Sequence, residues 1–405
     1  HRVIFNAARG ERMAVHEAAS SNSGRGRLKA TAVAAFVALA SPGQFALAQI
    51  AGDPSAPANQ RPVIRDAANG TPLVHIQTPS AGGVSRNTYR QFDVNGQGAI
   101  LNNSRTRVQT QLGGWVEANP YLATGPARII LNQVNSANPS QLRGYVEVAG
   151  QRAEVIIANP AGIQVNGGGF INASRATLTT GTPKFNEAGS LESFLVRGGT
   201  VSVEGAGLDA SKTDYAAILA RAIQVNAGIW ASELKVVAGA NEISADAANA
   251  SVTPVASSGA APAFALDVAQ LGGMYAGKIT LIGTEAGVGV RNAGDIGAGA
   301  GGLVVTADGR LENAGTLRGH RVQARSSSAN VQNSGTIEAR GIELVASAAD
   351  VVNQGAIRLT GANSLTVQAP SLSNTQGGYI GAEPVALATP TDAGDRAQGG
   401  GCAGG

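Results

Sequence analysis

Between residues 290 and 380 one short pattern, apolar-x-Asn-x-Gly-x-apolar, returns with a nearly fixed period. VRNAGDI (290–296), LENAGTL (311–317), VQNSGTI (331–337) and VVNQGAI (351–357) align without gaps, and LSNTQGGYI (372–380) follows more loosely. The asparagines are Asn292, Asn313, Asn333, Asn353 and Asn374, in steps of 21, 20, 20 and 21 residues. Such a period marks a solenoid, in which each repeat buries its apolar face only by stacking on its neighbours. Asn and Gly both tolerate left-handed backbone, so Asn-x-Gly is expected to turn a corner. Leu303-x-Val305, Ile342-x-Leu344 and Leu365-x-Val367 alternate as strands with one buried face do, and no part of the region has helical spacing. Two or three short strands and a corner describe one coil of a parallel β-helix, with coils pairing at about 4.8 Å. Asparagines stacked at one corner are expected to form a hydrogen-bonded ladder. A β-sandwich would space strands by roughly 8–12 residues without a registered motif. A leucine-rich repeat would need L-x-x-L-x-L, which is absent.

The same period runs through the earlier half. Asn-Pro occurs at Asn119-Pro120, Asn138-Pro139 and Asn159-Pro160, in steps of 19 and 21. Proline fixes φ and donates no hydrogen bond, so it suits a corner outside the strand ladder. In IIANPAGIQVNG (156–167) the reading is strand, corner, strand, with Gly162 supplying a positive φ and Ile163 and Val165 facing one side.

The N-terminal segment has a different grammar. Arg25, Arg27 and Lys29 precede an apolar run from Ala30 to Ala40, and Ala46-Leu47-Ala48 forms an A-x-A cleavage site. Residues 1–48 are expected to be an extended signal peptide, cleaved after Ala48. The apolar run is too short to span a bilayer, and no later stretch is long and apolar enough, so the chain is expected to be exported and not integral to a membrane. Residues 1–48 hold six basic and two acidic side chains, so 24 of the 30 basic and 25 of the 27 acidic residues belong to a near-neutral body. Charge therefore gives no reason to expect a nucleic-acid partner. The single cysteine, Cys402 in GGGCAGG, rules out an intrachain disulfide. That setting, and a first residue His1 in place of Met, are read as the ends of a fragment.

The stretches TPLVHIQTPSAGGVSRNTYRQFDVNGQGAILNNS (71–104), EANPYL (117–122), EVIIANPAGIQVNGGGFINASRATLTTGTP (154–183), VVAGAN (236–241) and MYAGKITLIGTEAGVGVRNAG (274–294) carry a resemblance. In this order they resemble the N-terminal secretion domain of two-partner secretion exoproteins, the family of the filamentous haemagglutinins. HRVIFNAARGERMAVHE (1–17) is similar to the extended signal-peptide region of such proteins. The resemblance implies an all-β, right-handed parallel β-helix with about 20-residue coils. It also implies threading, unfolded, through an outer-membrane transporter whose periplasmic domains recognise the N-terminal domain. Two family motifs important for secretion, Asn-Pro-Asn-Leu and Asn-Pro-Asn-Gly, map onto Asn119-Pro120-Tyr121-Leu122 and Asn159-Pro160-Ala161-Gly162. The chain departs at Tyr121 and Ala161, which puts any side-chain role of the family's second Asn in doubt. Each Asn-Pro is then either a recognition element or a structural corner.

Little in the chain points to catalysis. After residue 48 the only histidines are His75 and His320, and no G-x-S-x-G elbow or zinc-ligand spacing is present. Asp295, Asp308, Glu312, Glu338, Glu343 and Asp350 are dispersed, unlike the clustered carboxylates of a polysaccharide-cleaving β-helix. Gly297 to Gly302 lacks the Gly-Lys-Ser/Thr of a phosphate loop and is read as a loop between coils. The expectation is a module without enzyme activity, cofactor or metal.

Residues 49–255 are expected to be the secretion domain, with a cap over irregular residues 49–70, because an open solenoid edge invites aggregation. Residues 251–263 are read as a loop or linker leaving the core of the secretion domain, and residues 256–405 as continuing β-helix. The expected function is secretion targeting and fold nucleation for a large surface adhesin. The alternatives are a delivery stalk for a contact-dependent inhibition toxin and a shaft that itself binds host glycans or proteins, with Trp115, Tyr121 and Trp230 as the available aromatics.

Overall fold

The computed structural model describes residues 2–6, 11–15, 49–245, 251–361, 364–375 and 377–382. The chain divides into two units, residues 1–46 and 47–405. In the first, Arg2–Asn6 pairs antiparallel with Glu11–Val15. The apolar run 30–40 and the expected cleavage residues Ala46 and Ala48 lie outside the described residues.

The second unit is a parallel β-helix with three stacks of strands. One stack has ten short strands among the described residues, from Ser140–Leu142 to Leu372–Asn374. The other two belong to a single large sheet. In four successive coils the pair of strands from these two stacks fuses into one long strand, Gly273–Gly283, Asp295–Ala307, Thr316–Ser326 and Thr336–Ala346, and in the next the pair is separate again as Ala356–Leu359 and Leu365–Gln368. Register places like on like. Ile279, Leu303, Val322, Ile342 and Leu365 form one row, and Ile296, Leu317, Ile337 and Ile357 another. These rows feed one apolar core reaching from Ile50 to Ile357, each fully buried Val, Leu or Ile side chain contributing roughly 1.5–3 kcal/mol. The only helical element among the described residues is the 3-10 turn Ala58–Gln60, and no helix there is long and apolar enough to cross a membrane.

The N-terminal end is capped. Ile50–Gly52 pairs antiparallel with Val84–Phe92, and Val63–Asp66 with Pro72–His75. The segment read as irregular is therefore partly strand, and its reversed direction stops the parallel ladder from offering an open edge.

Two expectations are corrected. Residues 297–302 do not loop out but run within the strand Asp295–Ala307, where the register to the next coil shifts between Gly297 and Leu303. Glycine here permits a bulge in the strand. The run 251–263 is loop only from residue 255 onward. Val252–Pro254 is the edge of a four-stranded antiparallel sheet with Thr182–Phe185, Leu191–Val196 and Asn241–Ser244. Beyond it, Arg221 donates to the carbonyls of Ser258 and Gly259 while pairing with Glu285 at 2.7 Å, its side chain 7% exposed. The antiparallel sheet lies against the outer face of one stack and makes a second core, with Phe194, Val196 and Ile243 against Leu131, Ile156, Leu219 and Val237. A smaller third core lies under the hairpin of Val108–Thr110 and Gly114–Val116, where Val116 meets Leu73, Ile100 and Ala149.

Candidate functional site: the asparagine corners

Asn119-Pro120 and Asn159-Pro160 adopt the same construction. Asn119 Nδ2 donates to the Ile76 carbonyl at 2.9 Å and to the Asn102 carbonyl at 2.8 Å, and its Oδ1 accepts from the Tyr121 N–H at 3.0 Å. Asn159 Nδ2 donates to the Asn138 carbonyl at 3.0 Å and to Ser140 Oγ at 3.1 Å, and its Oδ1 accepts from the Ala161 N–H at 2.9 Å. Each side chain thus closes its own turn and ties it to a neighbouring segment, the pattern that makes Asn a turn residue. Both asparagines are buried, while Pro120 and Pro160 are exposed. Gly162, at φ +122°, donates to the Asn159 carbonyl at 3.0 Å, and Ile163 and Val165 turn into the core. Tyr121 and Ala161, the two departures from the family pattern, enter the turns through backbone N–H groups, which any residue but proline supplies.

Asn138-Pro139 is different. Asn138 is exposed, and it is its carbonyl that accepts from Asn159. Similar spacing in sequence therefore does not give three equivalent corners.

In the later coils the asparagines stand one above another. Nδ2 of Asn292 donates to Oδ1 of Asn313 at 2.8 Å, Asn313 to Asn333 at 2.7 Å, Asn333 to Asn353 at 2.8 Å, and Asn353 to Asn374 at 2.7 Å. Asn292, Asn313, Asn333 and Asn353 are buried. The glycine two residues on serves a purpose other than the one expected. Gly294, Gly315, Gly335 and Gly355 are not in the left-handed region. A Cβ on each of the last three would instead meet the carbonyl oxygen of the corresponding glycine in the preceding coil. Close approach of stacked backbones, and not a positive φ, excludes a side chain there.

Sequence reasoning missed further polar anchors. Asn103 Nδ2 donates to the Ala127 and Gln151 carbonyls, both at 2.9 Å, and its Oδ1 accepts from the Ala127 N–H at 2.8 Å. The Glu147 carboxylate accepts from the N–H groups of Gln111 and Leu112, both at 2.7 Å, and so holds the hairpin turn. The only signal for the first was Asn102-Asn103-Ser104 at the end of an apolar run. Nothing in the sequence signalled the second.

The chemistry-bearing residues stay apart. His75 is buried, with Nδ1 3.4 Å from the Asn102 amide, and burial lowers its pKa, with the Arg65 charge adding to the effect. His320 is exposed. Asp295 pairs with Arg318 and Glu343 with Arg325, each at 2.7 Å, and Glu312 pairs with Arg310. No group of His, Cys, Asp and Glu among the described residues is arranged to hold a metal ion. Cys402 lies outside the described residues. Trp115 is exposed, with the Arg107 guanidinium 5.2 Å from its ring centroid, and Trp230 is exposed beside Tyr275.

This architecture has known counterparts. A family model described as the TPS secretion domain matches residues 48–313. A solved structure, the filamentous hemagglutinin secretion domain, superposes with a TM-score of 0.57 at 30% identity, covering 82% of this chain and 99% of that one. The protein called Toxin CdiA of Yersinia pestis is 52% identical over 333 residues, 78% of this chain and 10% of that protein. The protein called tRNA nuclease CdiA-2 of Burkholderia pseudomallei strain 1026b is 48% identical over 338 residues, again 10% of its length. The chain thus spans about a tenth of the length of the curated relatives it matches.

Proposed function

The chain belongs to the family of TPS secretion domains, and on that premise we propose that residues 49–255 target a large exoprotein to its outer-membrane transporter and nucleate its folding outside the cell. Proteins with this domain are exported to the cell surface or secreted, and the domain is a structural, non-catalytic module that works with a two-partner secretion transporter. The observation that carries the nucleation reading is the concentration of cores. The main core is joined by the second and third within residues 49–255, and the antiparallel cap closes the same region. Solenoid coils are stable only on a folded neighbour, so the coil that starts the stack needs extra burial. Each later coil then adds on it through contacts local in sequence, and folding draws the chain outward.

In this reading the periplasmic domains of the transporter meet the chain before the helix forms. The two buried asparagines act as corners, their side chains closing the turns as the coil folds. The expected signal peptide, residues 1–48 with cleavage between Ala48 and Gln49, ends where the family match begins.

A secretion assay with the cognate transporter present or absent tests the proposal, comparing wild type with Asn119→Ala and Asn159→Ala. Transporter-dependent export that falls in the variants, together with a lowered unfolding midpoint of the purified variants, supports it. Export without the transporter overturns the targeting role. Blocked export of a variant that folds normally makes the corner a recognition element instead.

The names of the two relatives favour, as a second reading of the full-length protein, a stalk that delivers a toxin over a stalk that ends in an adhesin. Sequencing the reading frame past Gly405 and expressing its last domain in a susceptible cell separates the two.

A further inference from the structure

One outward-facing row of the large sheet has a composition that the secretion role does not call for. Register brings Tyr145, Gly169, Asp209, Trp230, Tyr275, Gly297 and Arg318 to the same position in successive coils. The neighbouring inward positions, Ile229, Met274 and Ile296, are in the core. Two residues earlier in the strands a parallel row reads Gly228, Gly273 and Asp295.

The glycines decide how the aromatic rings lie. A Cβ on Gly228 would run into the Trp230 ring, one on Gly273 into the Tyr275 ring, and one on Gly169 into the Tyr145 ring. The rings therefore recline on the sheet over bare backbone and do not stand away from it. Trp230 and Tyr275 are 6.3 Å apart between centroids and inclined by only 21°. They remain 43% and 37% exposed. The rim is polar. Asp209 Oδ2 accepts from the Tyr145 hydroxyl at 2.8 Å, and Asp295 Oδ2 accepts from Arg318 Nη2 at 2.7 Å with the Tyr275 hydroxyl 3.5 Å away.

In-register aromatic pairs stabilise sheets. That accounts for the pairing of the two rings but not for a glycine floor that leaves their faces in water. The neighbouring stack has its outer apolar face covered by the antiparallel sheet.

We infer that Trp230 and Tyr275 form a platform for a neutral saccharide chain, with Arg318 and the Oδ2 atoms of Asp209 and Asp295 binding its hydroxyls, Asp209 Oδ1 being held by Ser211. The flat face of a pyranose ring carries polarised C–H groups, which suit the negative face of an aromatic ring. Its equatorial hydroxyls project sideways, where carboxylates accept and a guanidinium donates. An extended peptide would need an unpaired strand edge, and these strands are paired on both sides. A polyanion such as nucleic acid would be opposed by the two carboxylates. The inference stands apart from transport and does not depend on the transporter reading.

The test uses the full chain carrying Trp115→Phe, which leaves Trp230 as the sole tryptophan of two. Its fluorescence is titrated with hexamers of β-1,4-linked glucose, β-1,4-linked N-acetylglucosamine and α-1,6-linked mannose. A saturable change with at least one of them is expected. Tyr275→Ala should weaken that affinity about tenfold or more. Calorimetry should show the same loss for Trp230→Ala and retained binding for Trp230→Phe, with thermal unfolding confirming that the variants are folded. A response to the acetamido sugar alone assigns a cell-wall-type polymer, and a response to glucose or mannose chains assigns a plain hexose glycan. No saturable change at millimolar concentrations of any of the three, or binding undiminished in Trp230→Ala, overturns the inference.

Discussion

The carbonyl oxygen of Gly294 stands where a Cβ on Gly315 would have to go, and the same relation repeats from Gly315 to Gly335 and from Gly335 to Gly355. That oxygen is not free to move, because it accepts the Thr316 N–H of the next coil at 2.8 Å. Gly335→Ala must therefore push two coils apart, and it is expected to cost about 3 kcal/mol. Gly96 is exposed with open space around it, so Gly96→Ala should change stability by less than about 0.5 kcal/mol. Urea denaturation of the two variants checks the contrast.

Asn333 sits mid-ladder, accepting from Asn313 and donating to Asn353. Asn333→Ala leaves the buried Oδ1 of Asn353 without its donor and takes from the Asn313 amide the shortest of its three bonds, those to the Gly315 and Thr336 carbonyls at 3.2 Å remaining. The expected loss is about 2–3 kcal/mol, from one unsatisfied group at roughly 1–3 kcal/mol and one weakened donor. Asn333→Asp should also destabilise at neutral pH, since a carboxylate would face the Asn353 Oδ1. Amide hydrogen exchange should show the opening centred on the coils carrying Asn313 and Asn353, with residues 129–158 unaffected.

The three Asn-Pro sites should behave unequally. Asn159→Ala removes bonds to the Asn138 carbonyl and Ser140 Oγ and the closure of its own turn. A loss of about 2 kcal/mol is expected. Asn138→Ala, at an exposed side chain, should stay within about 0.5 kcal/mol of wild type. Equal effects at both sites, read from denaturation midpoints, would contradict the structural difference between them.

Acid should loosen the N-terminal coil through His75. Burial holds its folded-state pKa below the ordinary value of 6.5, with the Arg65 charge acting in the same sense. Below that value the unfolded chain takes up a proton that the folded chain refuses. Stability therefore falls as the pH drops below the unfolded value, and the effect vanishes well above it. His75→Gln should flatten the dependence of the urea midpoint between about pH 7.5 and pH 5.5, above the range where most carboxylates titrate.

The period of the coil was legible because a solenoid writes its geometry directly into spacing, as Asn292, Asn313, Asn333 and Asn353 do. The reason for the glycine was not. Asn-x-Gly reads as a left-handed turn when only one repeat is considered, and the clash that excludes a side chain comes from the coil beneath. Strand alternation was legible in the later coils, where one face meets water. It fails in Tyr215–Ala220, every residue of which is buried. The outer face of that strand lies under Phe194 and Ile243, which are distant in sequence. The Asn159 corner was legible as a turn, but its distinction from Asn138 depends on which residue's amide reaches across to the other, and spacing carries no information about that.

Leu311, Glu312 and Asn313 lie over Val331, Gln332 and Asn333, which lie in turn over Val351, Val352 and Asn353. Each joint in this part of the shaft presents the same fittings above and below. Removing or duplicating a whole unit of 20 or 21 residues would bring matching surfaces together again, whereas a single residue added inside one of the short strands would shift its asparagine out of the column. The gene can therefore change the reach of the protein in fixed steps by unequal recombination between repeats, with no new interface to evolve.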